Sequence, residues 1–428
     1  MSSDLTVLPL EDCLDALIDY RGKTPVKTES GIPLITAKII KGGRIETPTE
    51  FIAKEEYVAW MRRGIPKEGD VVLTVEAPLG EVAQLGPEKI ALAQWVVTLR
   101  GKAGLLDSTY LLYLLQTEEM QSQLKSRATG TTVLGIKQSE LRKVTLSLPE
   151  FDLQLSAAAT LKSLDDRIAL LRETNATLEA IAQALFKSWF VDFDPVRAKL
   201  AGRAPEGMDE ATAALFPDSF EESELGLVPP GWRVATLVDT FDINPPRKLS
   251  RGSMASYLDM ASLATSGHCV EAPIEREMGS GAKFQNGDTL LARITPCLEN
   301  GKSAFVDFLA DGQIGWGSTE FLVLRPKSPL PQYLAYLLCR HPTFREYAVQ
   351  SMSGTSGRQR IQNDVLGRYL LAVPGHGIAD VFAGVIEPIQ RSIAANHQSA
   401  QTLATLRDTL LPRLISGQLR LPEAEAMV

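Results

Sequence analysis

The hydrophobic residues of this chain follow two different periods, and each period occurs twice. Short apolar runs broken by Gly and Pro come first, and such runs are typical of the strands of small sheets. These runs are Val71–Val75, Trp95–Leu99, Thr289–Ile294 and Phe321–Leu324. A leucine- and tyrosine-rich segment follows each set of runs and predicts one helix at Ser108–Arg127 and another at Pro331–Met352. The pattern therefore predicts two mixed units of strands and helices.

A heptad seam begins where each mixed unit ends. Its residues recur at alternating spacings of three and four, which is the pattern of a coiled coil. The first seam consists of Leu161, Leu164, Ile168, Leu171, Asn175, Leu178, Ala182, Leu185 and Trp189. The second seam consists of Ile386, Ile389, Ile393, Asn396, Ala400, Leu403, Leu410 and Leu414. It has one break, at Arg407, where we expect Leu406 to take over the contact. We expect two long helices, the first from about Leu155 to Phe190 and on the order of 50 Å long.

The two long helices could pair with each other, or each could bind a partner protein. The seams alone leave a parallel pair and an antiparallel pair open, and also two ordinary core helices of unrelated domains. Each seam contains one polar residue, Asn175 or Asn396. A buried Asn commonly fixes the register of paired helices at some cost in stability, so we expect these two residues to set the pairing.

The loops repeat as well as the helices. The stretches GDVVLTVEAPLGEVA (69–83) and GDTLLARITPCLENGKSAF (287–305) share Gly-Asp, an apolar run, a Pro and a leucine. Gly130-Thr131 returns as Gly354-Thr355, and Pro149 returns as Pro374. Internal repeats of this kind indicate two copies of one unit. We divide the chain into a first mixed domain (1–150), a central helix (151–200), an acidic linker (201–230), a second mixed domain (231–374), a second helix (375–420) and a tail (421–428).

Composition and charge narrow the possible functions without choosing one. The net charge is −8, but residues 191–230 hold nine acidic and three basic side chains, so the rest of the chain is nearly neutral. A local basic surface for nucleic acid is compatible with that total. The four Cys and four His residues are scattered and form no zinc pattern. Without an apolar run of about 20 residues or a signal peptide, we expect a cytoplasmic protein that binds no metal and no membrane.

Segments that look like catalytic motifs fail on spacing or residue type. A P-loop needs Gly five residues before its Gly-Lys-Ser, and Gly301-Lys302-Ser303 has Pro296 there. The segment Ile243-Asn244-Pro245-Pro246-Arg247 has Arg247 where amino-methyltransferases carry an aromatic residue that stacks on a flipped base. No Gly-rich turn for S-adenosylmethionine accompanies it. We therefore expect that the chain is not an enzyme and binds no cofactor itself.

Basic residues in glycine-rich loops are the remaining candidates for a functional site, and their chemistry suits binding to DNA. Arg and Lys bind phosphates, and Arg also reads base edges with two hydrogen bonds. The candidate DNA-binding residues are Lys38, Lys41, Arg44, Arg62, Arg63, Lys137, Arg247, Lys248, Arg251, Arg293, Arg358 and Arg360.

Several stretches together resemble the specificity subunit of type I restriction–modification systems, over nearly the full length. They are GIPLITAKIIKGGRI (31–45), LTVEAPLGEVA (73–83), ALFKSWFVDFDPV (184–196), LLARITPCLENGKSAFV (290–306), IGWGSTEFLVLRPK (314–327) and LLPRLISGQL (410–419). The resemblance implies an α+β fold with two target-recognition domains separated by a pair of long antiparallel, coiled-coil-like helices. Each domain would read one half of a split, asymmetric sequence in double-stranded DNA.

The same resemblance implies that this chain has partner subunits and that those partners bind the cofactors. Two modification subunits would hold S-adenosylmethionine and methylate adenine N6, and restriction subunits would bind ATP and Mg. Phe186, Trp189 and Phe190 are candidates for binding a modification subunit, and equally for closing the core at the end of the first long helix. Two other functions stay open: a free-standing DNA adenine methyltransferase, and a coiled-coil adaptor without affinity for DNA.

Overall fold

The computed structural model describes residues 5–22, 24–270, 273–355 and 357–419. These residues form two units, which we call the first unit (1–168 and 401–428) and the second unit (169–400). Both long helices cross the division, so each unit contains one part of each long helix. The predicted tail at 421–428 lies outside the described residues.

The helices of the described residues are Tyr57–Trp60 (α1), Ser108–Gln116 (α2), Glu118–Ser126 (α3), Gln138–Leu141 (α4), Phe151–Phe190 (α5), Asp194–Leu200 (α6), Glu210–Ala214 (α7), Leu237–Thr240 (α8), Leu334–Arg340 (α9), Pro342–Gln350 (α10), Asn363–Leu366 (α11) and His376–Ile415 (α12). Short 3-10 helices lie at Leu10–Cys13 and Ala37–Ile39. The strands of the first unit are Thr6–Pro9 (β1), Leu14–Asp19 (β2), Ile32–Ile35 (β3), Ile40–Lys41 (β4), Arg44–Ile45 (β5), Phe51–Ile52 (β6), Val71–Val75 (β7), Leu79–Gln84 (β8), Ala91–Leu92 (β9), Val96–Gly101 (β10) and Thr145–Leu148 (β11). Those of the second unit are Glu221–Ser223 (β12), Gly226–Val228 (β13), Arg233–Thr236 (β14), Phe241–Ile243 (β15), Met254–Leu258 (β16), Ile274–Glu277 (β17), Ala282–Phe284 (β18), Thr289–Ala292 (β19), Ser303–Phe305 (β20), Gly315–Gly317 (β21), Phe321–Pro326 (β22) and Leu370–Val373 (β23).

A four-stranded antiparallel sheet lies in each unit, and the two sheets have the same strand order. In the first unit the order is β2-β10-β7-β8, and in the second unit it is β15-β22-β19-β20. The strands β7 and β19 hold matching positions, and every residue of both is buried. A fully buried strand is a continuous apolar run rather than an alternating one. This explains why VVLTV and TLLA mark the two sheets in the sequence.

A second sheet in each unit contains a parallel pair of strands. The strand β3 pairs with β9 in the first unit, and β16 pairs with β21 in the second. The sheet of the first unit has the order β6-β3-β9, whereas the sheet of the second unit has a fourth strand, in the order β17-β16-β21-β18. The two copies therefore share a framework and differ at the edge of this sheet.

A buried aspartate precedes each central strand and belongs to the repeated Gly-Asp pair. Asp70 is 2% exposed and accepts hydrogen bonds from Arg100 Nε and Nη2, both at 2.8 Å. Asp288 is fully buried and accepts from Arg325 Nη1 at 2.6 Å and from Arg247 Nη2 at 2.8 Å. A buried carboxylate is tolerated when its charge is paired and its oxygens are hydrogen-bonded. The repeated Gly-Asp thus has a structural role.

The two predicted leucine- and tyrosine-rich helices are each divided in two. Ser108–Arg127 contains α2 and α3, which are separated by Thr117 in an extended conformation. The Thr117 side chain caps α3, because its oxygen accepts a backbone N–H of the first turn. Pro331–Met352 contains α9 and α10, separated by His341, which precedes Pro342 and is therefore disfavoured in helical conformation. The prediction of one helix at each place is wrong, because a cap and a proline interrupt an apolar pattern that itself continues.

The long helices α5 and α12 have 40 residues each and run antiparallel. In the second unit Asn396 Nδ2 donates to Asn175 Oδ1 at 2.9 Å, and Asn175 Nδ2 donates to the Ile393 carbonyl at 3.0 Å. Closer to the C-terminal end of α5, Phe190 packs on Phe382. Higher residue numbers on α5 therefore meet lower residue numbers on α12, as in an antiparallel pair. The predicted α+β class and the antiparallel pair of long helices are confirmed. Among the described residues, none of the helices has the length and apolar character needed to cross a membrane.

The segment 201–230, predicted as an acidic linker, contributes to the core of the second unit. It contains α7 and the hairpin of β12 and β13. Phe216 and Val228 are each 2% exposed, and Phe216 packs edge-on against Trp189 with ring centres 5.2 Å apart. The many acidic residues of this segment suggest an exposed linker, but they give no sign of the apolar residues that pack it into the core.

Replacing Asp288 with Ala is expected to lower the free energy of unfolding of the second unit by about 3–5 kcal/mol. The reason is that Arg247 and Arg325 would lose the carboxylate that pairs with them in a buried position. Denaturant unfolding followed by tryptophan fluorescence measures the change. The matched control is Asp364→Ala, because the Asp364–Arg368 pair is 71–74% exposed and such pairs contribute about 0–1 kcal/mol. Equal losses for the two variants would contradict the structural role of Asp288.

Candidate nucleic-acid interface

Two loops meet at the same place in each unit. We call them the proline loop, at residues 76–78 and 294–296, and the Gly-Thr loop, at 129–135 and 353–360, of which residue 356 is not described. The proline loop comes soon after the central strand and contains a cis peptide bond before its proline. The Gly-Thr loop lies between α3 and α4 or between α10 and α11. Isolated β-bridges join the two loops, from Glu76 to Gly135 and from Ile294 to Arg360.

Four backbone hydrogen bonds hold this junction in the first unit. The N–H of Val75 donates to the Trp95 carbonyl at 2.9 Å, and the N–H of Ile136 donates to the Val75 carbonyl at 3.0 Å. Thr129 and Gly135 exchange two more bonds, at 2.8 and 2.9 Å. The end of β7 is therefore tied to the start of β10 on one side and to the Gly-Thr loop on the other.

The second unit has the same four bonds. The N–H of Arg293 donates to the Glu320 carbonyl at 3.0 Å, and the N–H of Ile361 donates to the Arg293 carbonyl at 3.0 Å. Ser353 and Arg360 exchange two bonds, at 3.0 and 2.9 Å. Backbone bonds of this kind do not depend on side-chain identity. One framework can therefore present different side chains in the two units.

The side chains on this common framework differ in chemistry. The first unit has an uncharged set, namely Val75, Trp95 and Gly135. The second unit has a charged set at the same backbone positions, namely Arg293, Glu320 and Arg360. Trp95 is 37% exposed and has a left-handed φ of 72°, which is uncommon for a bulky residue. The junction thus offers an exposed aromatic ring in one unit and an ionic cluster in the other.

Glu320 pairs with Arg360 in the second unit, with Arg293 nearby. Arg360 Nε donates to the two carboxylate oxygens at 3.0 and 2.9 Å, and Nη2 donates to Oε1 at 2.6 Å. Arg293 Nη2 donates to the Ile361 carbonyl at 2.8 Å and to Gln362 Oε1 at 3.1 Å. The hydrogen bonds from Arg360 lower the pKa of Glu320 more than burial raises it, and the charges of both arginines lower this pKa further. Glu320 stays ionised at neutral pH, so the cluster carries a net positive charge.

A groove of about 450 Å³ adjoins this cluster in the second unit. Its basic lining residues are Arg247, Lys283 and Arg293. The segment Asn244-Pro245-Pro246 also lines it. Asn244 has a left-handed φ of 54°, and its Oδ1 accepts the Val323 N–H at 2.9 Å. The Asn-Pro-Pro segment is therefore a turn whose side-chain amide oxygen is used by the backbone of β22.

The predicted DNA-binding residues of the second unit divide into two groups. The first group is held by carboxylate or carbonyl partners and consists of Arg247, Arg293 and Arg360. The second group is exposed and consists of Lys248, Arg251 and Arg358. The structure brings Arg293 together with Arg360 at Glu320, and it brings Arg293 together with Arg247 in the groove.

Three predicted cations of the first unit lie on or next to one hairpin. Lys41 and Arg44 face each other across β4 and β5, and Lys38 is exposed in the 3-10 helix that precedes them. Lys41 donates to Glu46 at 2.9 Å. Arg44 is half-buried and donates to the Asp165 carbonyl at 3.5 Å, so it supports the fold as well.

The other predicted cations of the first unit lie elsewhere. Arg63 Nη1 donates to the carbonyls of Asp19 and Arg21 at 3.0 and 2.8 Å, and its neighbour Arg62 is exposed. Lys137 is exposed at the start of α4, directly after the Gly-Thr loop. Among the described residues, the contacts therefore do not gather the predicted cations of the first unit into one cluster.

Phe186, Trp189 and Phe190 are 3, 5 and 9% exposed and belong to the core of the second unit. Trp189 and Phe190 both pack on Phe382, with ring centres 5.4 and 4.6 Å apart. The three aromatic residues thus pack in the core, and their role in binding a modification subunit stays a prediction. Phe186 and Phe190 also form part of the wall of an apolar groove of about 270 Å³.

Trp95 and Glu320 are not among the residues predicted from the sequence. The sequence-based prediction rests on basic side chains, and neither residue is basic. The offset of 225 residues that relates the two long helices also relates Trp95 to Glu320 and Gly135 to Arg360. Comparing the two copies position by position is the signal that identifies this pair.

Several known proteins similar to this chain are specificity subunits of type I restriction enzymes. The profile of the type I restriction modification DNA specificity domain matches residues 6–180. The chain is 26% identical over 370 residues to the type I restriction enzyme MjaIX specificity subunit of Methanocaldococcus jannaschii, which covers 84% of this chain and 80% of that protein. It is 24% identical over 376 residues to the HindI specificity subunit of Haemophilus influenzae, which covers 76% and 80%. The crystal structure of a type I restriction–modification S subunit from M. genitalium has a similar fold, with a TM-score of 0.58, 15% identity and 96% coverage of both chains.

The carboxyl of Glu320 is expected to titrate below the ordinary pKa of Glu. Replacing Arg360 with Ala is expected to raise this pKa towards the ordinary value, because the hydrogen bonds from Arg360 are the largest cause of the lowering. Since the pKa is lowered in the folded state, the interaction stabilises the fold above the ordinary pKa and is lost as pH falls through the folded value. NMR of carbon-13-labelled Glu carboxyls measures the titration. Arg368→Ala, at an exposed arginine of the same unit, is the control and should leave it unchanged. An unchanged Glu320 pKa in Arg360→Ala would contradict the assignment.

Proposed function

We propose that this chain, which belongs to the family of type I restriction–modification specificity subunits, reads the two halves of a split DNA sequence with its two units. The observation that carries the proposal is the duplicated junction of the proline loop and the Gly-Thr loop. One backbone framework holds an uncharged set of side chains in the first unit and an ionic set in the second. Identical half-sites would call for identical readers, so this difference favours an asymmetric target.

Binding to double-stranded DNA would combine phosphate contacts with base contacts. Phosphate contacts position a protein on the duplex, and base contacts specify the sequence. Exposed cations suited to phosphate are Lys38 and Arg62 in the first unit and Lys248, Arg251 and Arg358 in the second. The junction of the two loops lies next to Lys137 in the first unit and contains Arg358 in the second. The same surface can therefore hold the DNA backbone and approach the bases.

The chemistry on the DNA belongs to partner subunits in this proposal. Two modification subunits would hold S-adenosylmethionine, take an adenine out of the duplex and methylate N6. A restriction subunit would use ATP and Mg. This chain would bind none of these cofactors and would select the sequence. We expect a constant gap between the half-sites, because the chain would use its two long helices, of 40 residues each, as a spacer of fixed length.

Two related grooves, one in each unit, would receive the modification subunits. The groove of the second unit is mainly apolar, and that of the first has a mixed lining that includes Glu118, Glu119 and Asp408. The groove of the second unit is about 270 Å³, and its lining residues at the end of α5 are Phe186, Phe190 and Val191. The groove of the first unit is about 650 Å³, and its lining residues at the end of α12 are Leu411, Ile415 and Ser416. The offset of 225 residues relates each residue of one set to a residue of the other. The docking site is thus duplicated together with the helices.

Exposed apolar side chains at the two grooves support a protein partner. Val191 is 37% and Leu225 is 42% exposed at the groove of the second unit, and Leu5 is 40% exposed at the groove of the first. Exposed apolar side chains that lie together, as Val191 and Leu225 do, commonly mark a protein–protein contact. Because the grooves occupy matching positions in two copies of one fold, two copies of one partner fit them better than two unrelated partners.

Co-expression of this chain with the modification subunit of its own system is expected to place N6-methyladenine at a split, asymmetric motif with a gap of constant length. The reason is that two different junctions would each select one half-site. Genome-wide sequencing that detects modified bases gives the motif, and cells that lack this chain are the control. Methylation that persists without the chain, or a continuous motif, would reject the proposal.

Leu5→Asp and Leu225→Asp are each expected to lower the number of bound modification subunits from two to one, because a charge in an apolar contact is left without a partner. Native mass spectrometry of the purified complex counts the subunits. The control is Leu170→Asp, since Leu170 is 52% exposed on α5 and lies outside both grooves. A double variant that still binds two modification subunits would show that the grooves are not the docking sites.

A further inference from the structure

We infer that Arg360 of the second unit reads a guanine and that Glu320 is the residue that positions it. The inference rests on the proposed function, because it names a base that the second unit would recognise. Its starting point is the junction of the two loops, where Arg360 stands at the backbone position that Gly135 holds in the first unit. Only the second unit therefore carries a guanidinium at this position.

The geometry of the ion pair leaves one edge of the guanidinium for a base. Glu320 binds the edge formed by Nε and Nη2. A guanidinium has five N–H donors, so this pair leaves the edge formed by Nη1 and the second Nη2 hydrogen. Two parallel donors match two neighbouring acceptors. The side chain of Arg360 is 40% exposed and that of Glu320 is 23% exposed, so the arginine is the more accessible member of the pair.

Guanine is the base that fits two parallel donors. In the major groove it offers the acceptors O6 and N7 side by side. Adenine offers N7 next to an N6 amino group, which is a donor and would face the donors of Arg360. Thymine offers one acceptor next to a methyl group, and cytosine offers a donor. The pair of Arg360 and Glu320 therefore favours guanine over the other three bases.

The structure holds Arg360 in place before any DNA arrives. Its backbone exchanges two hydrogen bonds with Ser353, and the Glu320 carbonyl accepts the Arg293 N–H at 3.0 Å. A long side chain that is already ordered loses less conformational entropy on binding than a mobile one. The positive charge of Arg293 adds to the attraction of the guanine acceptors. Glu320 acts through Arg360 and has no need to touch the base.

The test uses the complex of the full chain with its modification subunit and a duplex that carries the methylation motif. Each guanine of the motif is replaced in turn by 7-deazaguanine, which lacks the N7 acceptor. We expect one replacement, in one half-site, to weaken binding of the wild-type complex roughly 10- to 100-fold. The Arg360→Ala complex should bind the unmodified duplex with a similar loss and lose nothing further with 7-deazaguanine at that position.

Three further variants separate positioning from general stability. Glu320→Gln keeps the shape of the side chain but weakens the hold on Arg360, so discrimination at that guanine should fall while the other half-site and the gap stay unchanged. Arg360→Lys should not restore discrimination, because an ammonium cannot present two fixed parallel donors. The control Arg368→Ala should behave as wild type. If Arg360→Ala does not give a folded complex, Glu320→Gln supports the same comparison of guanine with 7-deazaguanine.

Three results would overturn the inference and leave the split target intact. The first is a motif without guanine in either half. The second is an Arg360→Ala complex that binds every duplex more weakly by the same factor, which is the behaviour of a phosphate contact. The third is an equal 7-deazaguanine effect in the wild-type and Arg360→Ala complexes. Failure of the proposed function is a different result, because then no split motif that depends on this chain would exist.

Discussion

A buried carboxylate fixes the geometry of each unit. Asp70 and Asp288 precede the central strands, and removing a carboxylate from water costs several kcal/mol unless a cation pairs with it. Arg100 or Arg325, on the neighbouring strand of the sheet, supplies that cation. The ion pair and the strand register therefore reinforce each other, and the register decides where the central strand ends. The proline loop follows that end, so the place of the proposed recognition surface depends on an ion pair in the interior of the unit.

Backbone and side chains have separate tasks at the junction of the two loops. The same four backbone hydrogen bonds are present in both units, although the residues that make them are mostly different. These four bonds therefore do not depend on which side chains stand at this place. Under the proposed function, a framework of this kind could change the base it recognises through substitutions that leave the four backbone bonds in place. Trp95 and Glu320, at one and the same backbone position, illustrate the range of chemistry that the framework accepts.

Much of the architecture could be predicted from the sequence, because burial leaves a periodic signal. The central strands, the two long helices and their common offset all follow from apolar runs and heptads. What could not be predicted depends on which partner a residue meets in three dimensions. The apolar pattern continues through Thr117 and His341, so the breaks there are invisible to it. In the same way, the sequence predicts that an aromatic residue such as Trp189 is buried, but it does not predict which residues pack against it.

The ionic cluster at Glu320 escaped prediction for a related reason. Charged residues far apart in sequence give no periodic signal, and their pairing depends on loops brought together by the rest of the unit. Arg293 and Arg360 were predicted as separate contacts with DNA, whereas the structure brings both close to one carboxylate. Repetition within the chain partly replaces this missing information, because a difference between two equivalent positions shows where the fold tolerates change.

The contact between Asn175 and Asn396 also gives the long helices a preference among possible partners. Shifted by the offset of 225 residues, Asn175 corresponds to Ala400 and Asn396 corresponds to Leu171. In a pair of two α5 helices Asn175 would face a leucine, and in a pair of two α12 helices Asn396 would face an alanine. Either pairing would lose the hydrogen bond between the two half-buried amides, which contributes about 0.5–1.5 kcal/mol. The two helices share one heptad pattern, but each is complementary to the other rather than to itself. Pairing of α5 with a second α5, or of α12 with a second α12, from separate chains is therefore disfavoured.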